Sequence, residues 1–253
     1  MIHFSRRGLC SAAFAVAAAL VTPRFVLAQS GPCEVKIGYA LATTSHDGAG
    51  TTAWGESVEK ASGGRYKFKH FAASALGGEH ELLEGLTLGS LDAVILSTGS
   101  LGSFVPEIGV ADIPFLFRDT RHARTVLDGP IGEELLAKFA PRGLQALAWG
   151  EQGFRHLTNN RLPVKSPEDF KGLKIRAMEN QVHIAAFRAL GALPTPMAWP
   201  EVVTALQQGT IDGQENPISV IVSAKLAQTQ KYLTLRQRCS AWKGCHSGPL
   251  REA

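Results

Sequence analysis

The sequence predicts an α/β fold of two lobes around a ligand cleft, on three observations. Short β-rich runs alternate with helical stretches along the chain. A helix, a glycine stop and a strand opening on Asp occur once in each half, at an offset of 120 residues. Two arginines, Arg155 and Arg176, end short apolar or loop-flanked runs, where a parallel sheet delivers side chains to a cleft.

The elements follow in order. Arg6 and Arg7 precede an apolar run from Gly8 to Val21, and Val26-Leu27-Ala28 makes a small-residue cleavage signal before Gln29. That run is too short to cross ~30 Å of hydrocarbon at ~1.5 Å per residue, so residues 1–28 read as an export signal and not as an anchor. The general and the twin-arginine routes both stay open, because Arg6-Arg7 after Ser5 suits either. Residues 29–150 are the expected first lobe. Val35–Ala40 is β-rich, His46–Ala61 is helical, Tyr66–Phe71 is strand-like with period two, and Glu79–Leu88 is a helix stopped by Gly89 before the strand Leu91–Ser97. A Gly/Pro-rich passage over 99–114 leads to helices at Thr120–Leu127 and Ile131–Phe139 and a strand at Leu144–Trp149.

Residues 151–235 are the expected second lobe. Ser166 is placed to cap a helix start and Pro167 suits its first position. Leu173–Arg176 is a short strand, and helices at Val182–Leu190 and Pro200–Gln208 stop at Gly191 and Gly209. The echo lies here: Glu81-Leu82-Leu83, Leu86 and Gly89-Ser90-Leu91-Asp92 match Glu201-Val202-Val203, Leu206 and Gly209-Thr210-Ile211-Asp212. Two related α/β lobes explain it better than one sheet. That architecture is bilobed and periplasmic-binding-protein-like, with its ligand between the carboxyl ends of two strand sets. Residues 217–232 read as a long helix, since Ile218, Ile221, Val222 and Lys225 keep helical spacing.

Composition removes several classes. The net charge of +4 is modest and no basic stripe interleaves with aromatics, which argues against nucleic acid. Of 4 cysteines, Cys10 falls in the signal, and Cys33, Cys239 and Cys245 do not make a disulfide framework. The 8 histidines show no metal spacing such as H-E-x-x-H, and no cofactor is expected.

Four motifs carry a resemblance. They are G-F-R-H-L-T-N-N at 153–160, G-L-K-I-R-A-M-E-N at 172–180, P-T-P-M-A-W-P-E-V at 194–202 and D-G-Q-E-N-P at 212–217. Together they resemble the substrate-binding proteins of tripartite ATP-independent periplasmic (TRAP) transporters, the DctP family, from about Val35 to Leu235. The resemblance implies a salt bridge from Arg176 to a substrate carboxylate, with Arg155 and Asn216 also touching ligand. It further implies a small carboxylate as ligand, integral membrane subunits as partners, a periplasmic location without membrane insertion after signal cleavage, and a long helix spanning both lobes.

The residues also admit structural roles. A planar guanidinium suits a carboxylate, yet a lone arginine at a strand end is commonly a structural ion pair. Arg155 beside His156, Asn159 and Asn160 also suits a solvated loop. Asn216 before Pro217 suits a helix N-cap, and Trp199 is either core or a wall over the ligand's apolar part. Glu79 opens a helix where the dipole favours a carboxylate, and Ser97 ends a strand as a hydroxyl donor. Relatives that bind larger sugar acids carry an acidic group near Ser97, so its absence points to a smaller substrate. His46 and Asp47 fall in the loop after the first strand.

From Arg236 the pattern breaks. Residues 236–253 lose periodicity and composition shifts, which reads as an aberrant tail from truncation or frameshift, with C-terminal elements missing. Two other readings stand beside the receptor. One is a non-functional fragment of such a receptor. The other is a secreted hydrolase using Cys33 or a serine, for which no G-x-S-x-G elbow exists.

Overall fold

The first half of the chain builds a sheet of three parallel strands. A computed structural model describes residues 31–235 and 246–249. The expected export signal, and the rest of the 236–253 stretch, lie outside the described residues. β1 (Cys33–Tyr39) runs between β2 (Tyr66–Phe71) and β3 (Ala93–Ile95). Ile37 and Tyr39 of β1 are fully buried. The crossover helices are α1 (His46–Ala61), opened by Ser45 Oγ accepting from the Gly48 N–H at 3.3 Å, and α2 (Glu79–Thr87), which buries Leu82 and Leu83.

Beyond β3 come α3 (Thr98–Leu101), a 3-10 turn at Pro106–Asp112, α4 (Thr120–Leu127) and α5 (Pro130–Ala137). The strand expected at Leu144–Trp149 is absent. Leu144, Ala146 and Trp149 instead pack on Val105, Ile108, Leu135 and Phe139, and the Trp149 indole donates to Gly132 O at 3.2 Å. Their side chains complete that apolar cluster, and the segment makes no backbone ladder with either sheet.

The second half forms a six-stranded mixed sheet in the order β6-β5-β7-β4-β8-β9. Its strands are β4 (Arg155–Asn159), β5 (Lys174–Ala177), β6 (Leu193–Pro196), β7 (Gly213–Pro217), β8 (Tyr232–Leu235) and β9 (His246–Pro249). β5 pairs parallel with β6 and β7, whereas β4 is antiparallel to both β7 and β8. The parallel setting expected of Arg155 and Arg176 therefore holds for Arg176 on β5 and not for Arg155 on β4. α6 (Gln181–Ala189) and α7 (Trp199–Gln208) cover this sheet over two apolar clusters, one around Phe170, Ile175 and Phe187 and one around Val202, Leu206 and Ile211.

The internal echo is physical. Asp92 Oδ2 accepts the Lys36 N–H at 2.8 Å while the Asp92 N–H donates to Lys36 O at 2.9 Å. Asp212 repeats this on Lys174, at 2.8 and 2.7 Å. In both halves the preceding helix ends on a left-handed glycine, Gly89 (φ 76) and Gly209 (φ 70), a conformation that costs other residues energy. Each Asp thus ties the strand it opens to the neighbouring parallel strand, β1 at its middle and β5 at its first residue.

Two further expectations change. The long helix over 217–232 is only α8 (Ile218–Ser223). Lys225 turns left-handed (φ 53), and a 3-10 turn at Leu226–Gln228 follows. This break drops Leu226, fully buried, onto Ile221 and Leu233, a placement that a continued helix would not give. Within the stretch read as an aberrant tail, β9 adds an antiparallel strand to β8, with Leu233 opposite Gly248. The described residues from Cys33 onward form one compact unit.

Candidate functional site

β5 carries Arg176, 4% exposed, beneath the start of α7. Its Nε donates to Met197 O at 2.9 Å, and its guanidinium carbon lies 6.0 Å from the centre of the Trp199 ring. Among the described residues, no carboxylate comes within 4.0 Å of it. Burial first, and then the like charge of Arg155, pull its pKa down to about 10, against the pull of Glu215, Glu79 and Glu179. It remains a cation at neutral pH, with no carboxylate in ion-pair contact among the described residues.

Arg155 has the opposite situation. β4 and β7 run antiparallel with Arg155 opposite Pro217 and His156 opposite Asn216, which brings the guanidinium onto Glu215. Arg155 Nη2 donates to Glu215 Oε1 and to Glu215 O, both at 2.9 Å, and to Asn216 Oδ1 at 3.2 Å, while Nε closes the pair on Glu215 Oε2. Burial pushes the Glu215 carboxyl up, but the Arg155 charge and hydrogen bond overcome it and hold the carboxyl below its ordinary value. The structural ion pair weighed in the sequence thus belongs to Arg155.

Asn216 is buried inside β7, and the residue capping α8 is Pro217, so the N-cap role does not apply. Its Nδ2 donates to Gln214 Oε1, and Gln214 Nε2 donates to Thr158 Oγ1 at 2.8 Å. All five residues of β7 are buried. Gly213 is glycine for space, because a Cβ there would sit 2.2 Å from Thr158 O.

The first half contributes acids. Glu79 Oε1 accepts from the Ser97 backbone N–H at 2.8 Å and from its hydroxyl at 2.7 Å, and the Ser97 hydroxyl lies 4.0 Å from Met178 Sδ. The expected lack of an acidic group near Ser97 is overturned, because α2 swings the Glu79 carboxylate onto it. Asp47, 7% exposed, has its carboxyl raised by burial and by Glu79, against the lowering effect of His46, 3.1 Å away, and a hydrogen bond with Gln152. The two halves touch here: the Gly78 position at the start of α2 lies against Ala198 and Pro200 of the α7 entrance.

Four residues escaped the sequence reading. Asn180 caps α6, accepting from the Val182 and His183 N–H groups, and its Nδ2 donates to Gly99 O and to Asp112 Oδ2, both at 3.0 Å. Asp112 Oδ1 also accepts from Thr98 Oγ1 at 2.6 Å. His183 stands between Asp112 and Glu215. An Asn ahead of V-H-I-A-A-F is a readable cap, and Glu215 adjoins a chosen residue, but nothing in the sequence marks His183 or Asp112.

Chemically, the site offers one buried cation without an ion-pair partner (Arg176), one matched by Glu215 (Arg155), an aromatic face and the further carboxylates of Glu79, Asp47 and Asp112. Cys33 is exposed at the first residue of β1, opposite the carboxyl ends of the parallel strands. Among the described residues, no group of three metal-ligating side chains occurs and no helix is long and apolar enough to cross a membrane.

Comparison with known proteins bears on the family of the chain. The family model described as bacterial extracellular solute-binding protein, family 7 (DctP), matches residues 37–242. A solute-binding protein of Verminephrobacter eiseniae is 54% identical over 201 residues, 79% of this chain and 60% of the relative. The chain therefore spans about 60% of that relative's length. A TRAP periplasmic solute binding protein from Bordetella bronchispeptica, its ligand density assigned to pantoate, superposes with a TM-score of 0.80 at 66% identity, covering 81% of this chain and 68% of that one. One from Polaromonas, bound to D-erythronate, gives 0.78 at 55% identity, with 79% and 66% covered.

Proposed function

This chain belongs to the DctP family of bacterial extracellular solute-binding proteins, and from that premise we propose that it is a non-catalytic receptor for a small hydroxylated organic acid. The observation that carries the reading is Arg176, a buried cation with no carboxylate of its own. A ligand carboxylate supplies the missing charge in bidentate form, each charge-assisted bond contributing ~1.5–3 kcal/mol. Arg155 and Asn216 add donors beside it, and Trp199 covers the ligand's apolar part. Glu79, with Ser97, accepts from hydroxyl groups, which favours a hydroxy acid over a plain dicarboxylate. Pantoate and D-erythronate, the ligands of the two similar structures, are hydroxylated monocarboxylates.

In this reading residues 1–28 direct export and are removed, the receptor works in the periplasm, and the loaded form is recognised by the integral membrane subunits of a TRAP transporter. A thermal-shift screen tests it: pantoate, D-erythronate, galactonate and succinate at saturating concentration. A ligand at ~100 times its dissociation constant adds ~2.7 kcal/mol of stability. The hydroxy acids should raise the melting temperature more than succinate does. No shift with any of the four would overturn the receptor reading.

A further inference from the structure

His183 is the buried titratable group that acid capture alone leaves unexplained. It lies in the first turn of α6 with its side chain 9% exposed. Its Nε2 stands 3.8 Å from Asp112 Oδ1 and its Nδ1 3.9 Å from Glu215 Oε1, and Nδ1 has no hydrogen-bond partner. Buried polar atoms are ordinarily satisfied, so an unsatisfied nitrogen held between two carboxylates calls for a reason.

The ring is faced by charges from every side. Asp112 comes from the turn before α4, Glu215 from β7, Arg155 from β4 and Arg176 from β5. Burial first depresses the proton affinity of the imidazole, the two arginines depress it further, and Glu215 and Asp112 work the other way. The ring is therefore neutral at pH 7, and both carboxylates are occupied elsewhere. Glu215 is held by Arg155, and Asp112 by Thr98 and Asn180.

An acid entering beside Arg176 and Arg155 changes that balance. Its carboxylate draws on the charge of Arg155, and Glu215 loses part of the field that holds it. The imidazole is the base in reach, and one proton turns its idle nitrogen into a donor toward Glu215. We propose that His183 is a positioning residue that takes up a proton from solvent and pairs with Glu215 as an organic acid enters, so that capture is coupled to proton uptake. The inference rests on reading the cleft as an acid site. Free His183 titrates below its ordinary value and the acid raises it. Between those two values binding takes up a proton, and affinity rises as pH falls, by up to about tenfold per unit.

Two measurements on the whole chain test this. In the first, NMR follows the His183 ring, identified by its loss in His183→Gln. The parent should titrate below ~6.5, and Arg155→Gln, which frees Glu215 with no ligand present, should move it above that value. Glu215→Gln should move it further down, and serves if Arg155→Gln does not fold. An unmoved titration in the variant that folds overturns the proposal. In the second, calorimetry with pantoate in buffers of different ionisation heat should show uptake of up to one proton, lost in His183→Gln. Binding without uptake, or uptake that survives His183→Gln, also overturns it. If no acid binds, the receptor reading fails instead, and the titrations alone decide the His183–Glu215 coupling.

Discussion

Glu215 grips Arg155 at both Nε and Nη2 across an antiparallel strand pair, from a position 60 residues away in the chain. Glu215→Gln leaves a half-buried guanidinium without its counter-charge and should cost about 3 kcal/mol, measured by urea unfolding at pH 7. The native carboxyl titrates below its ordinary value, so its contribution is complete above about pH 4.5 and is lost as pH falls through the folded value. Parent and variant should therefore converge in acid. A constant gap from pH 7 to pH 3 would show that the pair is not what separates them.

Arg176 predicts the opposite relation between stability and binding. Arg176→Met removes a buried charge that lacks an anion, so the fold should be as stable as the parent or up to about 2 kcal/mol more stable. Acid binding should fall at least about a hundredfold, the loss of two charge-assisted bonds. Arg176→Lys keeps charge without the planar fork and should fall between the two. Calorimetry paired with thermal melts reads both quantities, and a large loss of stability in Arg176→Met would mean that its charge is matched inside the fold.

Gly213→Ala should be among the most damaging small changes. Its Cβ would meet Thr158 O at 2.2 Å, where β4 and β7 pair, so relief requires the strands to part. A loss of about 3 kcal/mol or more is expected, together with weaker acid binding, because Arg155 and Glu215 sit on those two strands. A variant with native stability would mean that the strand pair shifts easily.

The paired aspartates should differ in weight. Asp212, 12% exposed in its side chain, holds the Lys174 N–H in a setting where water is a poor substitute, and Asp212→Ala should cost about 2 kcal/mol. Asp92 makes the same bond in the open, and Asp92→Ala should cost about half as much. Equal losses in urea unfolding would mean that burial does not set the strength of this clamp.

Legibility in the sequence followed how conventional each segment is. The helices at 46–61 and 120–127 and the strand at 66–71 were readable at their bounds from periodicity and stops, and the elements expected at 182–190 and 35–40 lie at 181–189 and 33–39. The Asp echo was readable too, although the backbone clamp behind it was not. β4 and β7 read poorly because R-H-L-T-N and G-Q-E-N-P are polar sequences, and only the ion pair and the amide ladder make them suitable for burial. A run of helical spacing after Pro217 outweighed the demand of Leu226 for the core, which is a tertiary choice. His183 was invisible because its importance lies in Asp112 and Glu215, which come from remote parts of the chain.

The placement of β4 also sets a timetable. Leu157 pairs with Glu215 on one side and with Thr234 on the other, so neither neighbour exists when β4 is made. At ~5–20 residues per second, the 60 residues from Arg155 to Glu215 take about 3–12 s to synthesise, and pairing at such separations is slow to form. For that interval the chain presents an unpaired strand. A strand spelled R-H-L-T-N, charged and nearly free of apolar side chains, is a poor template for association with other chains. The polarity that lets β4 hold Glu215 and Asn216 through Arg155 therefore also protects the chain while its strands wait for each other.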